Sequence, residues 1–145
     1  MIYIRDAAPG DAAEVVRMIH ELAAAGNETS PLTEAYAMRY LSSPENRILL
    51  AEIGGGVVGL LSYYMRPDLY HAAECCMIEE LIVGEDQREQ GIGGALLDAL
   101  IERAIQQGCA EVSVSTMPEN QRAQEFYRQH GLVDEAILLE RHLQV

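Results

Sequence analysis

The stretch DQREQGIGGALL, residues 86–97, sets Gly91, Gly93 and Gly94 directly before a run that reads as the first turns of a helix. Glycine costs a helix interior about 1 kcal/mol against alanine. Three together therefore point to another use. A helix N-terminus carries unpaired N–H groups and the positive end of the macrodipole, and a missing Cβ lets the main chain close around a phosphate. Shortly before the glycines stand two consecutive carboxylates, Glu79 and Glu80, in the middle of the strand-like run ECCMIEELIV. Side chains alternate across a strand, so the pair is expected to present one carboxylate to each face of a sheet. Either could serve as a general base.

Two nucleotide-binding patterns fail on residues. A G-x-x-x-x-G-K-[ST] loop needs a lysine and a hydroxyl that this stretch does not supply, and GIGGAL has Leu96 where a dinucleotide fingerprint needs its third glycine.

The elements that must position these groups are legible from periodicity. MIYIRDA alternates as a first strand, and PGDAAEVVRMIHELAAAG carries Val15, Met18, Ile19 and Leu22 at helical spacing, opened by Pro9 and Asp11 and closed by Gly26. A second helix is predicted within TEAYAMRYLSS. RILLAEI, a turn at Gly54–Gly56 and VVGLLSYYM read as a hairpin. ECCMIEELIV is the next strand, ALLDALIERAIQQG a helix ended by Gly108, AEVSVST a strand, ENQRAQEFYRQHG a helix closed by Gly131, and AILLERHL a last strand. The class is α/β with a mixed sheet.

A chain of 145 residues fits one domain, 1–145, able to bury its own core. No apolar run approaches the ~20 residues of a membrane span. The first residues lack the basic stretch and apolar block of a secretory signal, so a soluble, cytoplasmic protein with no membrane partner is expected. Cys75, Cys76 and Cys109 make an odd count without C-x-x-C spacing and read as reduced, core or near-core residues. A net charge of −13 argues against a nucleic-acid partner. It suits a cationic substrate, and equally an acidic surface that keeps the protein soluble.

The run Arg88-Glu89-Gln90-Gly91-Ile92-Gly93 resembles the Q/R-x-x-G-x-G/A motif of the GCN5-related N-acetyltransferases, the GNAT superfamily. ENQRAQEFYRQHGL is similar to that family's N-x-x-A-x-x-F-Y-x-x-x-G-F pattern, with Leu132 in place of the aromatic; Glu89 stands where the family often has glycine. The resemblance implies a GNAT fold, a mixed, mostly antiparallel twisted sheet of about six to seven strands flanked by about four helices. It implies that Arg88, Glu89, Gln90, Gly91, Ile92, Gly93 and Gly94 offer backbone N–H groups to the pyrophosphate of acetyl-CoA, Glu89 with its side chain turned to solvent. It implies that Leu81, Ile82 and Val83 pair with the pantetheine arm, that Asn120 holds that arm, and that Tyr127 protonates the departing thiolate. Members acting on polyamines take their base nine residues before the motif arginine, which is Glu79; Glu80 is the alternative.

Tyr63, Tyr64, Tyr70 and His71 lie where the family places part of its acceptor pocket, and either receive an amine by cation–π contact or pack as ordinary strand residues. No second histidine or carboxylate was expected at ligand spacing from His71, so no metal is expected. The implied activity is N-acetyl transfer to a small cationic amine such as a polyamine, an aminoalkyl compound or an aminoglycoside-like molecule. A protein N-terminal or lysine acetyltransferase and a non-catalytic acyl-CoA-binding module are the alternatives, and a homodimer is compatible with each.

Overall fold

The computed structural model describes residues 1–144. Its elements are β1 (Tyr3–Asp6), a single 3₁₀ turn at Pro9–Asp11, α1 (Ala12–Ala25), α2 (Glu34–Ser42), β2 (Arg47–Ile53), β3 (Gly56–Asp68), β4 (Ala73–Val83), a second 3₁₀ turn at Glu85–Gln87, α3 (Ile92–Gln106), β5 (Val112–Val114) and α4 (Gln121–Gln129). The five strands form one sheet in chain order. Neighbours are antiparallel except β4 and β5, which run parallel and are joined through α3.

Local chemistry accounts for the boundaries. Thr33 accepts the Tyr36 N–H at 3.2 Å and so opens α2 with a side-chain cap. Gly54 and Gly55 have φ of 59° and 82°, and the two-residue connection between Ile53 and Gly56 needs both positive. The sheet is covered on both faces, which is why RILLAEI is apolar throughout rather than alternating. Ile48 and Leu50 pack with Val15 and Met18 of α1, whereas Leu49 and Ala51 face α3 through Leu96, Leu97 and Leu100. Each such leucine, removed from water, contributes about 1.5–3 kcal/mol before entropy is counted. Cys76 is buried in the α3-side core, and Cys75 and Cys109 are partly buried.

The α/β class and the four helices agree with the expectation, but the sheet has five strands, fewer than the six to seven expected. AEVSVST contributes only Val112–Val114, and AILLERHL (136–143) has no regular structure. A strand needs a neighbour along its length, and β5, with three residues, offers a short one. Ile137, Leu138, Leu139 and Leu143 are exposed as a result.

Candidate active site

The strand β4 is interrupted where its carboxylates stand. In the pairing with β3, Ser62 lies opposite Glu80 and Tyr63 opposite Ile78, so Glu79 is an extra residue with no partner, a β-bulge. The bulge reverses the alternation. Ile78 packs in the α3-side core and Ile82 in the α1-side core, although residues four apart on a regular strand share a face. The regular alternation behind the expectation of one carboxylate per face is therefore absent: Glu79 is an exposed residue outside the ladder, and the charges of both carboxylates bear on Tyr40 of α2. Their charges, after burial, push its phenol up to about 12.

Glu80 is tied down and Glu79 is not. The Ser62 hydroxyl donates to the Glu80 carboxylate and accepts the Glu80 backbone N–H at 2.9 Å. Burial, and then the charge of Glu80, raise Glu79 above the usual carboxylate range, against an opposing pull from Arg66.

Glu80 lines a cavity of about 220 Å³ between α1, α2 and the sheet, together with Val15, Ile19, Leu32, Tyr36, Tyr40 and Leu60, whereas Glu79 does not line it. A second cavity of about 410 Å³, sharing Ile19, Ser30 and Glu80, continues outward past Leu22, Glu28 and Pro31. None of the four residues expected in an acceptor pocket lines either space. Tyr63 is fully buried and its hydroxyl accepts from Arg103 at 2.9 Å. The Tyr64 ring lies under the Arg66 guanidinium, 3.9 Å from its centroid. Tyr70, 92% exposed, and His71 sit at the β3–β4 turn. There His71 Nδ1 is 2.7 Å from Asp68 Oδ2 and 3.7 Å from Cys75 Sγ, so a carboxylate three residues away does reach it. The cavity tyrosines are Tyr36 and Tyr40, whose four-residue spacing puts them on one face of α2. That spacing was the available signal.

On its other edge β4 is open. Pairing with β5 runs from Cys76–Val112 to Ile78–Val114 and stops, while β4 continues to Val83. Beyond Ile78 the β5-side edge, including Leu81, Ile82 and Val83, has no strand neighbour among the described residues. The chain then turns through residues 84–91 into α3. Gly91 is the N-cap of α3 with φ 79°, and a Cβ built there meets nothing within 4 Å, so the loop faces open space. The first N–H groups of α3, those of Ile92, Gly93 and Gly94, have no acceptor within the helix. The Glu89 side chain is 81% exposed, turned to solvent as expected, and Arg88 and Gln90 are exposed beside it.

Gly93 and Gly94 have a second use that the motif did not reveal. A Cβ on Gly93 would stand 3.4 Å from the Phe126 ring and one on Gly94 3.4 Å from His130, so both glycines lie where α4 packs closely against α3. His130 Nδ1 bonds Asp98 of α3 at 2.9 Å. Asn120 caps α4, its carbonyl oxygen accepting the Ala123 N–H at 3.1 Å, which leaves its amide as donor. Tyr127, 8% exposed, is held in the α3-side core, and burial pushes its phenol up to about 12, so it keeps its proton at neutral pH.

No helix among the described residues is long and apolar enough to cross a membrane. The chain is similar to an aminoalkylphosphonate N-acetyltransferase of Salmonella typhimurium, at 32% identity over 88% of this chain and 82% of the relative. It is also similar to bovine thialysine N-epsilon-acetyltransferase, at 28% identity over 92% and 85%. Among solved structures, an aminoglycoside acetyltransferase from an uncultured soil metagenomic sample, in complex with trehalose, shares its fold: the TM-score is 0.85 at 21% identity, covering 99% of this chain and 96% of that one. The model of the acetyltransferase (GNAT) family matches residues 15–132, which include the bulged strand, the glycine loop and Tyr127; the chain is a GNAT acyltransferase.

Proposed function

We propose that this protein moves the acetyl group of acetyl-CoA to the primary amine of a small cationic acceptor, by direct attack with both substrates bound. The observation that carries this reading is the position of Glu80 on the wall of a cavity between α1, α2 and the sheet, next to the exposed, bulged Glu79, on a strand whose other edge is open beyond Ile78. Relatives named for thialysine and for aminoalkylphosphonate support an amine as acceptor.

The chain's own groups fit acetyl-CoA. The glycine cradle at Gly91 faces open space and a Cβ there would enter it; Arg88–Gly94 would hold the pyrophosphate, the edge Leu81–Val83 the amides of the arm, and Asn120 the arm through its amide. Acetyl-CoA, when bound, supplies a thioester carbonyl open to attack. Glu80, fixed by Ser62, holds the incoming ammonium. Glu79, free to move and raised in pKa, takes the proton that must leave before nitrogen can attack. A backbone N–H of the open β4 edge faces the developing oxyanion. Tyr127 carries the proton for the departing sulfur.

The test is release of free thiol from acetyl-CoA with a panel of amines. Every basic residue of the chain apart from its histidines is arginine, so self-acetylation is confined to the N-terminus and the background is low. Binding of acetyl-CoA without thiol release on any amine would leave an acyl-CoA-binding module instead.

A further inference from the structure

The two cavities differ from what a polar, zwitterionic acceptor needs. The inner one is walled by Val15, Ile19, Leu32, Ala37, Ile48 and Leu60, with Tyr36 and Tyr40 offering ring faces. Among the described residues charge enters at two points only, Glu80, which lines both spaces, and Glu28 along the outer cavity. No lysine, arginine or histidine is among the residues lining either space.

Basic side chains on the flanking helices are engaged by groups of the protein, His20 by the Leu32 carbonyl oxygen at 3.0 Å. Arg39 lies over the Tyr36 ring, 5.4 Å from its centroid, and Arg17 pairs with Glu14 and Glu21 on α1. The N-terminus of α2 is capped by Thr33 and carries Glu34 in its first turn. A carboxylate or phosphonate brought in with the amine would face Glu28 and Glu80 with no basic side chain lining either space.

We infer that the acceptor is a primary amine on an apolar stem that bears no anionic group: an alkylamine, an aralkylamine or an alkane diamine, as opposed to an amino acid or an aminophosphonate. The inference rests on the amine-transfer reading above and specifies the substrate class of the same site. The stem lies among Ile19, Leu32 and Leu60, the reacting ammonium at Glu80. In a diamine, the second ammonium reaches toward Glu28.

Matched pairs that differ by one anionic group test it: hexylamine against 6-aminohexanoate, and pentane-1,5-diamine against lysine, each followed by thiol release from acetyl-CoA. The uncharged-stem member of each pair is expected to have the higher kcat/KM, by about tenfold or more, since like charges facing one another cost several kcal/mol. Glu28→Arg, at an exposed loop position, should raise kcat/KM for 6-aminohexanoate and lower it for pentane-1,5-diamine. Equal or greater kcat/KM for the carboxylated member in either pair overturns the inference and leaves amine transfer standing. No thiol release with any of the four, from protein shown by calorimetry to bind acetyl-CoA, overturns both.

Discussion

Glu79 and Glu80 are consecutive on β4, yet only Glu80 has a partner in the ladder, Ser62, because the bulge opposite Ser62 and Tyr63 leaves Glu79 outside it; after burial, the charges of both raise the phenol of Tyr40. The charge of Glu80 is the second cause, after burial, that raises Glu79. The anchored member, Glu80, stays fixed through Ser62, and the other takes up the strain as a raised pKa.

The pH dependence of kcat/KM follows from that coupling. A base works when deprotonated, so the rate should rise with pH through the Glu79 pKa, above the usual carboxylate range. Burial is the larger cause of the shift and the Glu80 charge the second. Glu80→Gln should therefore move the acid-side inflection to lower pH by part of the shift, and Glu79→Gln should abolish it. A pH–rate profile unchanged in Glu80→Gln would show that the two are not coupled.

Gly91→Val should weaken acetyl-CoA binding. Its φ of 79° is costly for any L side chain, about 1–2 kcal/mol and more for a branched one, and the new methyls enter the open space that the loop faces. Thermal unfolding measures the stability lost and calorimetry the affinity. A folded variant with unchanged affinity would remove the loop from the cofactor site. Asn120→Ala should cost less affinity, one side-chain contact, together with about 1 kcal/mol of helix capping.

Tyr127→Phe keeps the ring in its core position and deletes only the hydroxyl. Turnover should fall by about 10²- to 10⁴-fold with acetyl-CoA affinity unchanged, as expected for loss of a proton donor used only in the chemical step. Steady-state rates equal to those of the parent would hand that proton to water.

Asp11 anchors β1 to the start of α1. It accepts from Arg5 at 2.8 and 2.9 Å, and Arg5 also donates to Glu52 at 2.8 Å. The Arg5 hydrogen bonds hold the Asp11 carboxyl below its ordinary value, so its contribution to stability is present above the unfolded-state pKa of about 3.9 and is lost as pH falls through the lower folded value. At neutral pH, Asp11→Asn should cost about 1 kcal/mol, or about 3 °C in Tm. The gap between the two proteins should close as pH drops below 4. A gap that persists at low pH would assign the loss to packing.

What could be seen in the residues was whatever a short window determines. Helix ends at Pro9, Thr33 and Gly108, the two-residue turn at Gly54–Gly55, and the order of strands and helices all follow from chemistry within a few residues. The glycine loop belongs with them, because a strand end, a positive φ and a helix start are contiguous. The bulge was hidden because it is a property of two strands in register; nothing in IEEL marks Glu79 as unpaired until β3 lies beside it. Tyr63 looked like a ligand contact until Arg103, forty residues on, was found at its hydroxyl. Tyr36 and Tyr40 passed unremarked because the cavity they line is closed by the 27–33 segment, whose path no local pattern specifies. AILLERHL has strand composition, yet composition cannot supply the neighbour that a strand requires.

The bulge also separates what the sheet requires from what the chemistry requires. With Glu79 removed, Ile78, Glu80, Leu81, Ile82 and Val83 would fall into uninterrupted alternation on the faces they already occupy. The fold can thus lose this residue without repacking either core. A single-codon deletion would turn the proposed catalyst into a well-folded binder of the same two molecules, and a single-codon insertion would restore it. If Glu79 is the base, as proposed, activity here depends on chain length at one position, with no change in any residue that builds the core.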